Sequence, residues 1–187
     1  MRLWNGWGNE DSDLTMELSD GLRALLEALV GSGTALSQAT LNEVIVKVPN
    51  TRLDDHPLIK TDPETRVRHA RGQSLPDWLE MHSGNVDTFP DGVAFPESSE
   101  QVRELLAHAK ENNLIVIPYG GGTSVVGHIN PETSDKPVLT IDMAKMNSML
   151  SIDTESQLAT FGAGAPGPVV EEELKKHGYT LGHFPQS

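Results

Sequence analysis

Apolar residues return at helical spacing in two clear places along the chain, and after the second they gather into short runs of strand length. Over Asp20 to Val30, Leu22, Leu25, Leu26 and Leu29 make one stripe, with Ser19 or Asp20 as cap and Gly31 as stop, which predicts a short amphipathic helix. The second stripe, Val102, Leu105, Leu106 and Ala109, follows Ser98-Ser99-Glu100-Gln101, a capping-box sequence, and ends near Asn112-Asn113. Leu114 to Ile117 then reads as a strand apolar on both faces, hence fully buried, and closed by Pro118. Further strand-like runs stand at Val138 to Ile141, Met149 to Ile152 and Leu158 to Phe161. A last helix is predicted from about Pro168 to His177, stopped by Gly178.

Between the first stripe and residue 90 the pattern is weaker. Val44 to Val48 reads as a short strand and Ser74-Leu75-Pro76-Asp77 as a helix start of capping-box type, with no second independent core. Helices and short strands mix without strict alternation, so the expected fold class is α+β rather than a doubly wound sheet.

Composition changes this picture mainly by exclusion. Lys and Arg number 14 against 27 Asp and Glu, a formal charge of -13 over 187 residues, which repels a phosphate backbone and argues against nucleic acid as a partner. Without cysteine there is no disulfide, thiolate nucleophile or Cys-based metal site. His69, His82 and His183 follow no ligand spacing, so no metal site is expected. The chain turns polar and acidic before a secretory signal could form, and no run approaches a membrane span; a cytoplasmic protein is the expectation. Arg66, Arg68 and Arg71 form the one basic cluster, where salt bridges outweigh a role toward a substrate phosphate.

The chemistry-bearing stretch is Ile117-Pro118-Tyr119-Gly120-Gly121-Gly122-Thr123-Ser124-Val125-Val126-Gly127-His128. Residues without Cβ let consecutive N–H groups turn toward one anion, so glycines after a strand suggest a phosphate cradle. A Rossmann fingerprint fails, because Thr123 to Gly127 is β-branched and glycine-ended instead of opening a helix. A Walker A loop fails too: Gly122 and Gly127 have its spacing, but His128-Ile129 stands where Lys and Ser/Thr are needed. Two readings stay open on the residues alone. One is a cradle of amides and hydroxyls for a diphosphate, with no cation and no helix dipole; the other is a wide turn between strands.

The stretch Pro118 to Ser124 resembles the pyrophosphate loop of PCMH-type flavoproteins, the vanillyl-alcohol oxidase type, and most nearly the alkyldihydroxyacetonephosphate synthase group with its bacterial relatives. Trp4-Asn5-Gly6-Trp7-Gly8, Arg66 to Ser74, Pro90-Asp91-Gly92-Val93-Ala94-Phe95-Pro96 and Gly178 to Pro185 carry the same likeness. The resemblance implies FAD as cofactor, with Pro118, Tyr119, Gly120, Gly121, Gly122, Thr123 and Ser124 at its diphosphate. Gln186 and Ser187 would begin the next FAD-contacting loop, and Gly162-Ala163-Gly164-Ala165 would lie near the cofactor or serve as a tight connection. Thr123 stands where some relatives carry a flavin-linking histidine, so the FAD is expected to be non-covalent.

By the same likeness, residues 1–89 form an N-terminal extension and linker and residues 90–187 the first part of an FAD-binding domain. The chain is then expected to be a fragment of an enzyme acting on a small-molecule substrate, with a homodimer open for the complete protein and its catalytic residues unknown. The implied reaction is either alkyl-for-acyl exchange on a dihydroxyacetone phosphate ester or oxidation of a D-2-hydroxy acid. A non-catalytic FAD-binding relic is the alternative from another class.

Overall fold

A computed structural model describes residues 3–11, 18–34 and 36–184. Among these residues six helices and six strands run in chain order: α1 (Asp20–Val30), α2 (Leu41–Ile45), β1 (Ile59–Lys60), α3 (Pro63–Arg68), α4 (Leu75–Ser83), β2 (Gly92–Ala94), α5 (Ser99–Glu111), β3 (Ile115–Tyr119), β4 (Val138–Asp142), β5 (Met149–Asp153), β6 (Leu158–Phe161) and α6 (Gly167–Lys176). A four-stranded sheet has the order β1-β2-β4-β3, with β2, β4 and β3 parallel and β1 antiparallel; β5 and β6 form a separate antiparallel pair. These small sheets packed with helices are the α+β class that the mixed pattern predicts.

The strand buried on both faces is β4, every residue of which is buried, and not the run at 114–117. β3 is an edge strand with only Ile117 and Tyr119 buried, and Pro118 lies inside it rather than closing it. Ile115 N–H donates to Pro137 O and Tyr119 O accepts from Met143 N–H, so the odd positions of β3 face β4. The nitrogen of Pro118 therefore points away from the ladder, where the missing N–H loses no strand bond.

Residues 31–90 hold two further departures from the sequence pattern. Val44 lies in helix α2, because Thr40 and Glu43 form a capping box that starts a helical turn just before it. A second apolar cluster is also present: Val44, Val67, Ala70, Met81, Val86 and Phe89, with Trp4 and Trp78 packed against it. Val44 comes from α2, Val67 from α3, Met81 from α4, and Ala70, Val86 and Phe89 from the loops after α3 and α4, so no segment carries a visible stripe. The main cluster lies between α5 and one sheet face, where Leu105 meets Ala94, Leu139 and Ile141. Helix α1 forms as its stripe predicts but has no buried residue.

The arginine cluster is used inside the fold. Arg66, 2% exposed, donates to the carbonyls of Pro90 and Pro49. Arg71 pairs with Glu80 and Asp87, and Arg68 with Glu64 and Glu10. Ser98 caps α5, but Gln101 takes the N–H of Glu97 instead of that of Ser98, so only half of the predicted box forms.

Candidate functional site

The glycine loop leaves the end of β3 from a fixed point. Tyr119 is buried, its ring centroid 4.7 Å from that of His69, and its carbonyl holds the N–H of Met143 at 2.9 Å. His69 lies between two acceptors, with Nδ1 2.7 Å from Thr65 O and Nε2 2.9 Å from Asp142 Oδ2, so each ring nitrogen is directed at an oxygen. Beyond Tyr119 the chain opens into a groove of about 870 Å³, bounded on one side by Gly120, Gly121 and Thr123 and on the other by Ala163 to Pro168.

The glycines around this groove have different physical reasons. At Gly162 and Gly164 a Cβ would overlap the carbonyls of Met146 and Met143, and the N–H groups of both glycines join the same tight packing. These two are required by the protein's own backbone, as a tight strand-to-helix connection. Gly122, at φ 66°, has the left-handed backbone that favours glycine. At Gly120 and Gly167 the backbone φ is ordinary and a Cβ would meet nothing within 4 Å; at Gly121 it would touch only Thr123 Cγ2, at 3.4 Å. Neither packing nor backbone conformation demands glycine at these three groove positions.

Polar groups converge on the same space. Among the described residues, the N–H groups of Gly120, Thr123 and Gly167 and the Thr123 hydroxyl make no hydrogen bond. Gly167 opens α6, whose N-cap is Pro166 with no side-chain cap bond; Pro168 has no N–H, and that of Val169 turns back to Pro166 O. A helix N-terminus therefore faces the groove, which corrects the sequence expectation of a loop without a helix dipole. Nothing in the loop sequence signalled it, because α6 begins 40 residues and more after the glycines. Its one local sign is Pro166-Gly167-Pro168, a rigid entry with a glycine between two prolines.

The nine residues singled out from the sequence divide accordingly. Gly120, Gly121 and Thr123 line the groove. Gly122 is buried beneath it, and the Ser124 hydroxyl lies 3.0 Å from Nδ1 of His128. Pro118 and Tyr119 belong to β3. Gln186 and Ser187 lie outside the described residues. Glu171, His183, Phe184 and Asn147 also line the groove and were not marked by sequence; Glu171 accepts from Thr180 Oγ1 at 2.7 Å and from Gly182 N–H at 3.0 Å, which ties the C-terminal segment to α6. No group of three or more metal-ligating side chains occurs among the described residues.

The donor set suits an anion bound without a cation: three backbone N–H groups, a hydroxyl and a helix start, with no lysine or arginine on the groove among the described residues. That is the chemistry of a diphosphate group such as FAD carries.

Comparison with known proteins gives the family of the chain. Alkyldihydroxyacetonephosphate synthase of Dictyostelium discoideum is 37% identical over 129 residues, covering 69% of this chain and 21% of that protein. The Caenorhabditis elegans synthase is 30% identical over 212 residues, covering 98% and 35%. A solved alkyldihydroxyacetonephosphate synthase structure superposes with a TM-score of 0.79 at 28% identity, over 98% of this chain and 40% of that one. The chain thus spans well under half the length of these relatives. Residues 90–187 match the family model described as the FAD binding domain, and the chain belongs to that family of FAD-dependent enzymes, with FAD as its cofactor.

Proposed function

We propose that the groove between the glycine loop and the start of α6 holds the diphosphate of FAD, non-covalently, and that the chain is the cofactor-binding part of an alkyldihydroxyacetonephosphate synthase-like enzyme. The observation that carries this reading is the set Gly120, Gly121 and Gly167, glycines that the protein itself does not need, arranged around the unbonded N–H groups of Gly120, Thr123 and Gly167. Close backbone approach to a ligand is the remaining reason for glycine there. We place the FAD-binding domain at 90–187, where all of the groove residues lie, with β1 from the preceding residues joined to its sheet.

FAD supplies the redox or group-transfer chemistry when bound, and the protein contributes binding, orientation and electrostatics. In this chain Gly120, Thr123 and Gly167 bind, and the helix start faces the negative charge. Thr123 supports a non-covalent cofactor, because its hydroxyl is a poor nucleophile and no base is bonded to it among the described residues. For the longer enzyme, the proposed reaction is exchange of an acyl for an alkyl group on a dihydroxyacetone phosphate ester.

The test is a fluorescence titration of FAD into the chain and into Gly120→Val and Gly167→Val. Each variant places methyl groups in the groove and is expected to weaken FAD about tenfold or more, the effect of losing about 1.4 kcal/mol, with the folded structure retained. Wild-type affinity in both variants sinks the reading. Acid precipitation of loaded protein is expected to leave all flavin in the supernatant.

A further inference from the structure

The loop that follows β3 has no regular secondary structure from Gly120 to Asn130, yet one short segment holds its middle and its end. Gln73 N–H donates to Ser124 O at 2.6 Å. Gly72 N–H donates to Asn130 Oδ1 at 3.0 Å, and Asn130 Nδ2 donates to Asp77 Oδ1 at 2.6 Å. Gly72 is shaped to this joint, because a Cβ there would overlap the carbonyl of Ser124.

Asp77 is 3% exposed and its two oxygens have separate tasks. Oδ2 accepts the N–H of Ser74 at 2.9 Å and its hydroxyl at 2.6 Å, which closes the capping box that starts α4. A capping box uses one oxygen of its third residue. The second oxygen is spent on Asn130, 53 residues away, in a bond strengthened by the charge on the carboxylate. The amide of Asn130 is thereby fixed with its oxygen toward Gly72, and a single buried charge couples a helix start to the glycine loop.

We propose that Asp77 is a positioning residue of the cofactor site: through Asn130 it sets the course of loop 120–130 and so the spacing of the N–H donors at Gly120 and Thr123. Its consequence for FAD rests on the diphosphate reading above; its hold on the loop does not.

Amide hydrogen exchange read by mass spectrometry on the 187-residue chain, with FAD titration in parallel, separates the two. Asn130→Asp sets carboxylate against carboxylate, and Asn130→Ala removes the contact while the α4 cap stays whole. Both are expected to speed exchange in the 120–130 peptides about tenfold, since local opening is no longer opposed by the bond. The double variant D77N/N130D reverses donor and acceptor, with an amide at 77 and a carboxylate at 130, and is expected to restore slow exchange. Thr40→Ala, which loses the cap of α2 and leaves the Asp77–Asn130 bond whole, controls for general loss of stability and is expected to leave the loop unchanged relative to the rest of the chain. FAD affinity is expected to fall about tenfold in Asn130→Asp and recover in the double variant, as the loop does. Wild-type exchange in Asn130→Asp and Asn130→Ala, or no recovery in the double variant, overturns the proposal. A wild-type chain that takes up no FAD sinks the diphosphate reading, while the exchange pattern still decides the role of Asp77.

Discussion

Two glycine-rich segments face each other across one groove, and they are glycine-rich for opposite reasons. At Gly162 and Gly164 the chain turns so close to the backbone of Met143 to Met146 that no side chain fits. At Gly120 and Gly121 there is room, and both residues line the groove. One segment is defined by what the protein already contains, the other by what it leaves open. The residue type alone does not separate these cases; the neighbours of an imagined Cβ do.

The comparison is broken most severely from the packed side. Gly164→Ala sets a methyl group against the carbonyl of Met143, a backbone atom that cannot rotate aside. The expected loss is about 3 kcal/mol or more, at or above the upper end of ordinary overpacking. Thermal unfolding checks it, and an unchanged melting temperature contradicts the assignment of this turn to packing. Gly72→Ala should follow in the same measurement, at about 1 to 3 kcal/mol, because its overlap with the Ser124 carbonyl is less deep.

A third effect concerns the sheet that carries the loop. Burial pushes the carboxyl of Asp91 up, but hydrogen bonds from Arg52 and from the N–H of Val138 outweigh it and hold the group below the ordinary carboxylate value. A folded value below the unfolded one means that the contribution is complete above the unfolded value, about pH 4, and is lost as pH falls through the lower folded value. Asp91→Asn is therefore expected to cost about 1 to 2 kcal/mol at neutral pH. Urea unfolding of the two proteins as a function of pH should show that gap closing in acid; a gap that widens there has the wrong sign.

Where the sequence was legible, a local signal coincided with the long-range outcome. The capped stripe at 98–109 and the run at 138–141 became α5 and β4, and the resemblance carried by Pro118 to Ser124 led to the FAD-binding family. The illegible parts depend on distant partners. Val44 to Val48 is β-branched enough to suggest a strand, but the Thr40–Glu43 box immediately before it starts a helix that takes Val44 and Ile45. Leu114 to Ile117 is apolar on both faces, yet it sits at the sheet edge because β4, drawn from 20 residues later, takes the centre. The groove is the extreme case: its second wall, α6 with Gly167, has no local pairing with the loop that a sequence window could span.

The smallest expected effect on stability is the most telling for function. Gly120 has a negative φ and open space beside its Cα, so alanine fits the folded chain without strain and reduces only the freedom of the unfolded one. Gly120→Ala is expected to leave stability unchanged or raise it by up to about 1 kcal/mol. If the glycine is there for a ligand, the same methyl group weakens FAD by a few-fold, less than valine does. Unfolding and titration of this one variant then move in opposite directions, a result that neither a bare turn nor a packing glycine can produce. A loss of stability on the scale of Gly164→Ala would erase the difference between the two segments and return the loop to the role of a connection.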